Sequence, residues 1–134
     1  MENAFSPHLI ARDSLRSSAG SISFGIRLPW YRSLPLSVVE IAAVHVDGKA
    51  IEPGRIRLAV DGVAHAAAEL PGLTDAWWFV LDDATLSVDG CRLDPGGRHV
   101  VSVRLNLYPP YIPHLIWVTD ATAELEVRPA GDRA

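Results

Sequence analysis

Residues 24–37 read FGIRLPWYRSLPLS and join the end of a strand pattern to a loop that is bracketed by prolines. From position 22 to 28, apolar side chains alternate with small or polar ones, which is the period-two pattern of a half-buried β-strand. Pro29 then removes a backbone donor and ends the ladder, and Pro35 closes the loop before the next apolar run. The pattern predicts a sheet strand that leads into a stiff loop.

This loop carries Trp30, Tyr31 and Arg32 between its two prolines. Loops at the ends of sheet strands commonly hold recognition residues, and these three residue types are enriched at interface hot spots. Two interpretations stay open at this point. The loop can recognise a partner or a substrate, or its two aromatic rings can simply cover one end of the core.

The composition is that of a small globular protein with one folded unit. The chain has 134 residues, 49% of them hydrophobic, and a formal net charge of −4. This length predicts a single domain over residues 1–134, with loose ends at 1–8 and 129–134. The sequence has neither the basic stripe expected of nucleic-acid binding nor an apolar run of membrane-spanning length. No secretion signal pattern opens it, and its one cysteine, Cys91, fits a cytoplasmic protein.

The rest of the chain reads as about eight or nine short strands that are separated by Gly/Pro turns at intervals of roughly 8–12 residues. This spacing is typical of an all-β fold, here an antiparallel β-sandwich of the jelly-roll kind. One segment, 63–70, also has helical propensity, and strand is favoured because a turn precedes it. The expected strands are 9–15, 22–28, 38–46, 55–61, 63–70, 77–79, 84–88, 99–107 and 122–128.

A second proline-braced loop follows the longest strand pattern. Residues 109–114 read PPYIPH and contain Tyr111 and His114. Like the first loop, this one combines aromatic and polar side chains with restricted backbone freedom. Both residues are candidates for a site. In the alternative interpretation, Tyr111 caps the core and His114 is a surface residue.

The chain lacks the constellations that catalysis normally needs. Its five histidines are not spaced as metal-ligand pairs, and Cys91 lies in a turn-forming stretch. The sequence therefore predicts no catalytic residue and no metal ligand in this chain. A metal site assembled from distant strands, as in cupin-like sandwiches, remains the weaker alternative. A small domain of this kind most simply works on a partner or completes a partner's site.

Three segments resemble the beta subunit family of bacterial C-glycoside deglycosidases. They are FGIRLPWYRSLPLSVVEIAAVHVDGKAI, DPGGRHVVSVRLNL and PPYIP, which occur in the family's order within residues 22–127. The resemblance implies a small β-sandwich that assembles with a TIM-barrel alpha subunit, which holds a divalent metal, typically Mn²⁺. It also implies that the complex cleaves the C–C bond of a 3-oxo-C-glycoside by β-elimination, with the catalytic groups mainly on the partner.

Within that resemblance, five residues form the predicted substrate pocket or subunit interface. They are Trp30, Tyr31, Arg32, Tyr111 and His114. The alternative is a free-standing carbohydrate-binding or interaction module that uses the rings of Trp77 and Trp78 as a stacking platform. Such a module would keep both rings exposed on one flat face, whereas a subunit would cover its aromatic loops with another chain.

Overall fold

The structure, a computed structural model, describes residues 9–18 and 20–129. Within these ranges all long-range order comes from strands, and the helical elements are three short 3₁₀ helices, Leu36–Val38, Pro53–Arg55 and Ala67–Gly72. The strands are β1 (Arg16–Ser18), β2 (Ser21–Arg27), β3 (Leu34–Pro35), β4 (Val39–Val46), β5 (Lys49–Ala50), β6 (Ile56–Val60), β7 (Val63–Ala66), β8 (Trp77–Trp78), β9 (Asp83–Asp89), β10 (Arg98–Leu107), β11 (Trp117–Glu126) and β12 (Arg128–Pro129). The predicted all-β class is confirmed.

The strands form two main sheets and one small ribbon. The larger sheet has the order β12-β1-β2-β9-β6-β7, the smaller has the order β11-β10-β4-β5, and β3 pairs with β8. Pairing within the described residues is antiparallel, except that β12 runs parallel to β1. The predicted antiparallel sandwich therefore holds for the body of both sheets, and one outer edge departs from it.

Alternation along the strands places one face of each sheet in a shared hydrophobic core. Strand β2 contributes Ile22, Phe24 and Ile26, which are at most 1% exposed, and β10 contributes Val103 and Leu105 from the other sheet. Burying such a side chain contributes roughly 1.5–3 kcal/mol relative to leaving it in water. The predicted strand before the first proline loop is therefore a central core strand, which fixes where the loop starts.

Strand β4 contains a bulge that changes which residues face the core. Its register against β10 shifts between Arg104 and Leu105, whose partners are Ala43 and Ile41. A bulge inserts one unpaired residue and reverses the inward-outward phase of the strand. For this reason Val39 and Val44, five positions apart, are both buried, which strict alternation would not allow.

Two predicted strands differ from the structure near the N-terminus and in the middle of the chain. Residues 9–15 do not form a regular strand, because Asp13 adopts a left-handed backbone (φ 54°) and the chain bends away. Its start pairs with β2, where the Ala11 amide donates to the carbonyl of Gly25, and further along the Ser14 hydroxyl accepts a hydrogen bond from the Gly25 amide. The 63–70 segment divides into β7 and a 3₁₀ helix, with the Glu69 carboxylate accepting a hydrogen bond from the Ala66 amide. The segment therefore forms a strand first and a short helix after it, so both its strand and its helical propensity are realised.

The last long strand begins earlier than its sequence pattern suggested. β11 starts at Trp117 rather than at Thr122, and it pairs with β10 over the full length from Leu107 to Arg98. Of the expected loose ends, 1–8 and 130–134 lie outside the described residues, whereas Pro129 pairs with Ser17 in the larger sheet. In the part of the chain described, no helix has the length and apolar character needed to cross a membrane.

Candidate functional site

The two proline-braced loops meet at the same end of the sheets. The first leaves β2 through the buried residues Leu28 and Trp30, and the second connects β10 to β11. Trp30 is only 6% exposed, and its ring packs against Tyr31 at a centroid distance of 5.0 Å. The ring of Trp117 meets it edge-on at 5.4 Å. Trp30 is thus a rigid anchor between the loops, because its neighbours hold it on more than one side.

A hydrogen bond joins the anchor to the second loop. The indole nitrogen of Trp30 donates to the hydroxyl oxygen of Tyr111 over 2.5 Å. Indole can only donate, so the Tyr111 oxygen is the acceptor and its own proton points elsewhere. The Tyr111 side chain remains 44% exposed. This hydroxyl is therefore fixed in position on a side chain that remains partly exposed.

Arg32 supplies positive charge beside this hydroxyl. Its guanidinium carbon lies 5.2 Å from the centroid of the Tyr111 ring, a cation–π distance. At an exposed site such a contact contributes roughly 0.5–1 kcal/mol. The structure therefore brings together four of the five predicted site residues, Trp30, Tyr31, Arg32 and Tyr111, in one group that we call the aromatic cluster.

The cluster changes the acidity of its two phenols in opposite directions. Burial raises the pKa of Tyr111, but hydrogen bonds from Tyr31 and Trp30, together with the charge of Arg32, outweigh it and lower that pKa overall. The hydrogen bond to Tyr111 is the main reason why the pKa of Tyr31 is raised. The surroundings thus favour negative charge at the Tyr111 oxygen.

An open cleft of about 310 Å³ lies beside the cluster. Arg32 and Tyr111 form part of its wall, and Trp77 faces them from the β3–β8 ribbon. The ribbon is held to the first loop, because the Val80 amide donates to the Ser33 hydroxyl over 2.9 Å. The cleft therefore has aromatic walls and a single charged group, a combination typical of a site for a small aromatic molecule.

His114 does not join the cluster. It is exposed, adopts a left-handed backbone (φ 65°) and lines a different cleft together with Tyr108 and Ile116. A non-glycine residue in this backbone region is uncommon, although histidine tolerates it better than most. The structure places His114 on the same loop as Tyr111 but gives it no shared contact with the other four residues.

Two residues of the site were missed in the sequence. The local sequence gives no role to Trp117, although extending the alternation of Ala123 and Leu125 backwards places Trp117 on the same face. The sequence indicates Trp77 only as half of a stacking pair, and that pair does not exist as a flat platform. Trp78 is fully buried and donates its indole hydrogen to the Asp82 carbonyl, whereas Trp77 is 46% exposed. Successive strand residues point to opposite faces, which explains the difference.

The described residues do not provide a metal site or an activated thiol. Among residues 9–18 and 20–129, no group of three or more His, Cys, Asp and Glu side chains is arranged to bind a metal ion. Burial raises the pKa of the Cys91 thiol, which disfavours the reactive thiolate.

Comparison with known proteins assigns the family. The family model described as C-glycoside deglycosidase beta subunit matches residues 8–111, which include every member of the aromatic cluster. The chain belongs to the C-glycoside deglycosidase beta subunit family. The match confirms the resemblance seen in the sequence and ends at Tyr111, so β11 and Trp117 lie beyond it.

Individual relatives agree with this assignment. The chain is 47% identical over 109 residues to the 3'-dehydrocarminate deglycosidase beta subunit of Microbacterium sp, covering 81% of this chain and 82% of the relative. It is 38% identical over 104 residues to a C-glycoside deglycosidase beta subunit of Arthrobacter globiformis, and 36% identical over 104 residues to one of Microbacterium trichothecenolyticum. In both cases the alignment covers 78% of this chain and 79% of the relative.

Proposed function

We propose that this chain is the beta subunit of a C-glycoside deglycosidase complex and that its aromatic cluster covers the active site of a larger alpha subunit. One observation carries the proposal within the family: two loops that are far apart in sequence are joined by the Trp30–Tyr111 hydrogen bond into one rigid, partly exposed surface. A surface meant for a partner needs this combination of fixed geometry and accessible aromatic groups.

Exposed apolar side chains around the cleft support a docking role. Trp77, Phe79 and Leu81 are 46%, 55% and 92% exposed, and they follow one another along the segment that leaves the β3–β8 ribbon. Tyr111, which is 44% exposed, lines the cleft together with Trp77, and Tyr31, which is 59% exposed, packs against Trp30. Contiguous exposed apolar groups of this kind mark interaction sites. By this proposal the alpha subunit covers them.

The proposed reaction breaks the bond between a sugar and an aromatic aglycone. A base removes the C2 proton of a 3-oxo-C-glycoside, whose neighbouring ketone makes that proton acidic. The electron pair then forms the C1–C2 double bond as the C1–aglycone bond breaks, and the aglycone takes up a proton. The base and the metal belong to the alpha subunit, which we propose to be a TIM barrel holding Mn²⁺.

This chain's own contribution is to bind the aglycone and to keep water away from the reaction. The aromatic walls of the cleft, formed in part by Trp77 and Tyr111, suit a flat ring better than a bare sugar. The name of the relative from Microbacterium sp, 3'-dehydrocarminate deglycosidase beta subunit, gives 3'-dehydrocarminate as its substrate. By analogy, we propose a 3-oxo-C-glycoside with an aromatic aglycone as the substrate class here.

Co-expression with a C-glycoside deglycosidase alpha subunit tests the proposal. We expect the two chains to purify together and to cleave a 3-oxo-C-glycoside, with any manganese following the alpha subunit. Arg32→Ala should reduce kcat/KM by about tenfold or more, because a charged wall of the cleft is lost. The control is Arg98→Ala, which changes an exposed arginine paired with Glu124 at the opposite end of β10. Unchanged turnover and an unchanged complex in Arg32→Ala would contradict the proposed role.

A further inference from the structure

We infer that the Tyr111 hydroxyl and the Arg32 guanidinium form a recognition site for an aromatic ring that carries an anionic oxygen. The site would take a phenolate or an aromatic carboxylate, with the ring in the cleft and the oxygen at the cluster. The inference rests on the proposed function only in taking the aglycone as the natural ligand. Its chemistry follows from the contacts of this chain alone.

The direction of the Trp30 hydrogen bond makes Tyr111 a donor toward the cleft. Trp30 can only donate, so its 2.5 Å bond occupies one lone pair of the Tyr111 oxygen, and the hydrogen bond from Tyr31 occupies the other. Neither bond uses the Tyr111 hydroxyl proton. Tyr111 lines the cleft and is 44% exposed. Its proton can therefore reach a ligand oxygen without breaking the contact that positions it. Hydrogen bonds to charged oxygens are about twice as strong as those between neutral groups.

Arg32 provides the charge that selects an anion. It lies over the Tyr111 ring at 5.2 Å and contributes to the same cleft. No carboxylate in residues 9–18 or 20–129 forms an ion pair with it, whereas Arg27, Arg98 and Arg104 are paired with carboxylates on the sheet surfaces. An exposed guanidinium that is held by an aromatic ring rather than by a carboxylate remains able to bind an incoming anion.

The remaining walls of the cleft suit a flat, apolar ring. Trp77 contributes an exposed indole, and Pro35 and Pro110 add stiff apolar surface. The volume of about 310 Å³ is at the small end of the range for ligand pockets, which matches a compact aromatic group. The lowered pKa of Tyr111 agrees with this assignment, since the same groups that stabilise its own negative charge would stabilise a bound oxyanion.

Binding of small nitroaromatic probes to the purified full chain tests the inference. The probes are 4-nitrophenolate at pH 8.5, 4-nitrobenzoate, and neutral 4-nitroanisole, and calorimetry gives each dissociation constant. We expect one or both anions to bind at least about fivefold more tightly than 4-nitroanisole, because only they can use the charge-assisted bonds. The anionic probe that binds more tightly shows whether the phenolate or the carboxylate is the preferred group.

Three variants assign the binding to the site. Arg32→Gln and Tyr111→Phe should each weaken binding of the preferred anion by about fivefold or more, as expected for loss of a hydrogen bond to a charged group. Arg98→Gln makes the same charge change at the other end of β10 and should leave binding unchanged. Equal binding of the neutral probe, equal loss in Arg98→Gln, or no binding of any probe would overturn the inference. Because the measurement needs no alpha subunit, failure to form a complex would contradict the proposed function separately.

Discussion

The indole nitrogen of Trp30 lies 2.5 Å from the hydroxyl oxygen of Tyr111, although 81 positions separate the two residues in the chain. This bond joins a loop after β2 to a loop after β10, and these strands belong to different sheets. The aromatic cluster therefore exists only when both sheets are packed on each other. Its geometry depends on the fold as a whole rather than on either loop alone.

Removing the acceptor of this bond should destabilise the fold. Tyr111→Phe leaves the N–H of Trp30, which is only 6% exposed, without its partner. A buried donor that loses its acceptor costs about 1–3 kcal/mol, so we expect a loss in this range by urea unfolding. A double-mutant cycle with Trp30→Phe should give a coupling energy of about 1 kcal/mol.

Tyr108→Phe is the matched control for that substitution. The Tyr108 hydroxyl donates to the exposed Glu40 carboxylate over 2.7 Å, and water can replace it there. We expect it to lower the free energy of unfolding by less than Tyr111→Phe does. A coupling energy near zero between Trp30 and Tyr111 would show that the bond contributes nothing to stability.

The three tyrosines should titrate separately. Burial raises the pKa of Tyr111, but its hydrogen bonds and Arg32 lower it overall, whereas hydrogen bonds raise the pKa of Tyr31 and of Tyr108. Absorbance at 295 nm should therefore show one phenol that ionises below the ordinary value of about 10 and two that ionise above it. Tyr111→Phe should remove the early step. A single step from all three phenols near pH 10 would contradict the arrangement.

The exposed apolar segment that follows Trp77 should be sensitive to added charge. Leu81→Asp changes a side chain that is 92% exposed, so the isolated chain should keep its stability within about 0.5 kcal/mol. If the alpha subunit covers this surface, the new carboxylate is buried unpaired, and association should weaken by about tenfold or more. Ala50→Asp on the distant β4–β5 hairpin adds the same charge as a control. Equal affinities of both variants for the alpha subunit would rule out docking at Leu81.

Acid should weaken the hairpin between β4 and β5. The pKa of Asp47 is lowered because its carboxylate accepts hydrogen bonds from the Val100 amide and the His99 ring. A carboxyl group whose pKa is lowered in the folded state stabilises the fold at pH values above its unfolded-state pKa of about 4. This stabilisation is lost as the pH falls through the folded-state pKa. Asp47→Asn should therefore reduce stability at pH 7, by at most about 1 kcal/mol at this exposed site, and flatten the acid dependence.

Asp61→Asn is the control for the loss of these hydrogen bonds. Asp61 also precedes glycine in a two-residue turn and has nearly the same backbone, with φ 54° against 51° for Asp47. Its carboxylate makes no such hydrogen bonds in the described structure, so Asp61→Asn should lower the stability at pH 7 by less than Asp47→Asn does. Equal acid profiles for Asp47→Asn and the unmodified chain would contradict the assigned role of Asp47.

The strands of the fold could be predicted where a single rule governed them. Alternation and the Asp-Gly turns located β2, β6, β9 and β10, because one buried face and one exposed face leave a direct trace in sequence. The same rule failed where a local backbone feature interrupted it. The left-handed backbone of Asp13 bends the expected first strand, and the β4 bulge at Ala42–Ala43 places core residues out of phase.

The sequence predicts most residues of the site but not the contacts between them. The prolines and residue types indicated Trp30, Tyr31, Arg32 and Tyr111, but pairwise contacts across 81 positions depend on sheet packing, which one sequence does not reveal. Trp77 and Trp117 were missed for the same reason. Each joins the site through the position of its strand rather than through a local motif.

The parallel pairing of β12 with β1 has a consequence for how the protein is made. Arg16 and Ser17 pair with Arg128 and Pro129, so β1 gains its outer neighbour only after the chain has been synthesised through residue 129. Until then the β1 edge stays open to other strands. A deletion that removes Arg128 and Pro129 would therefore leave the β1 edge exposed.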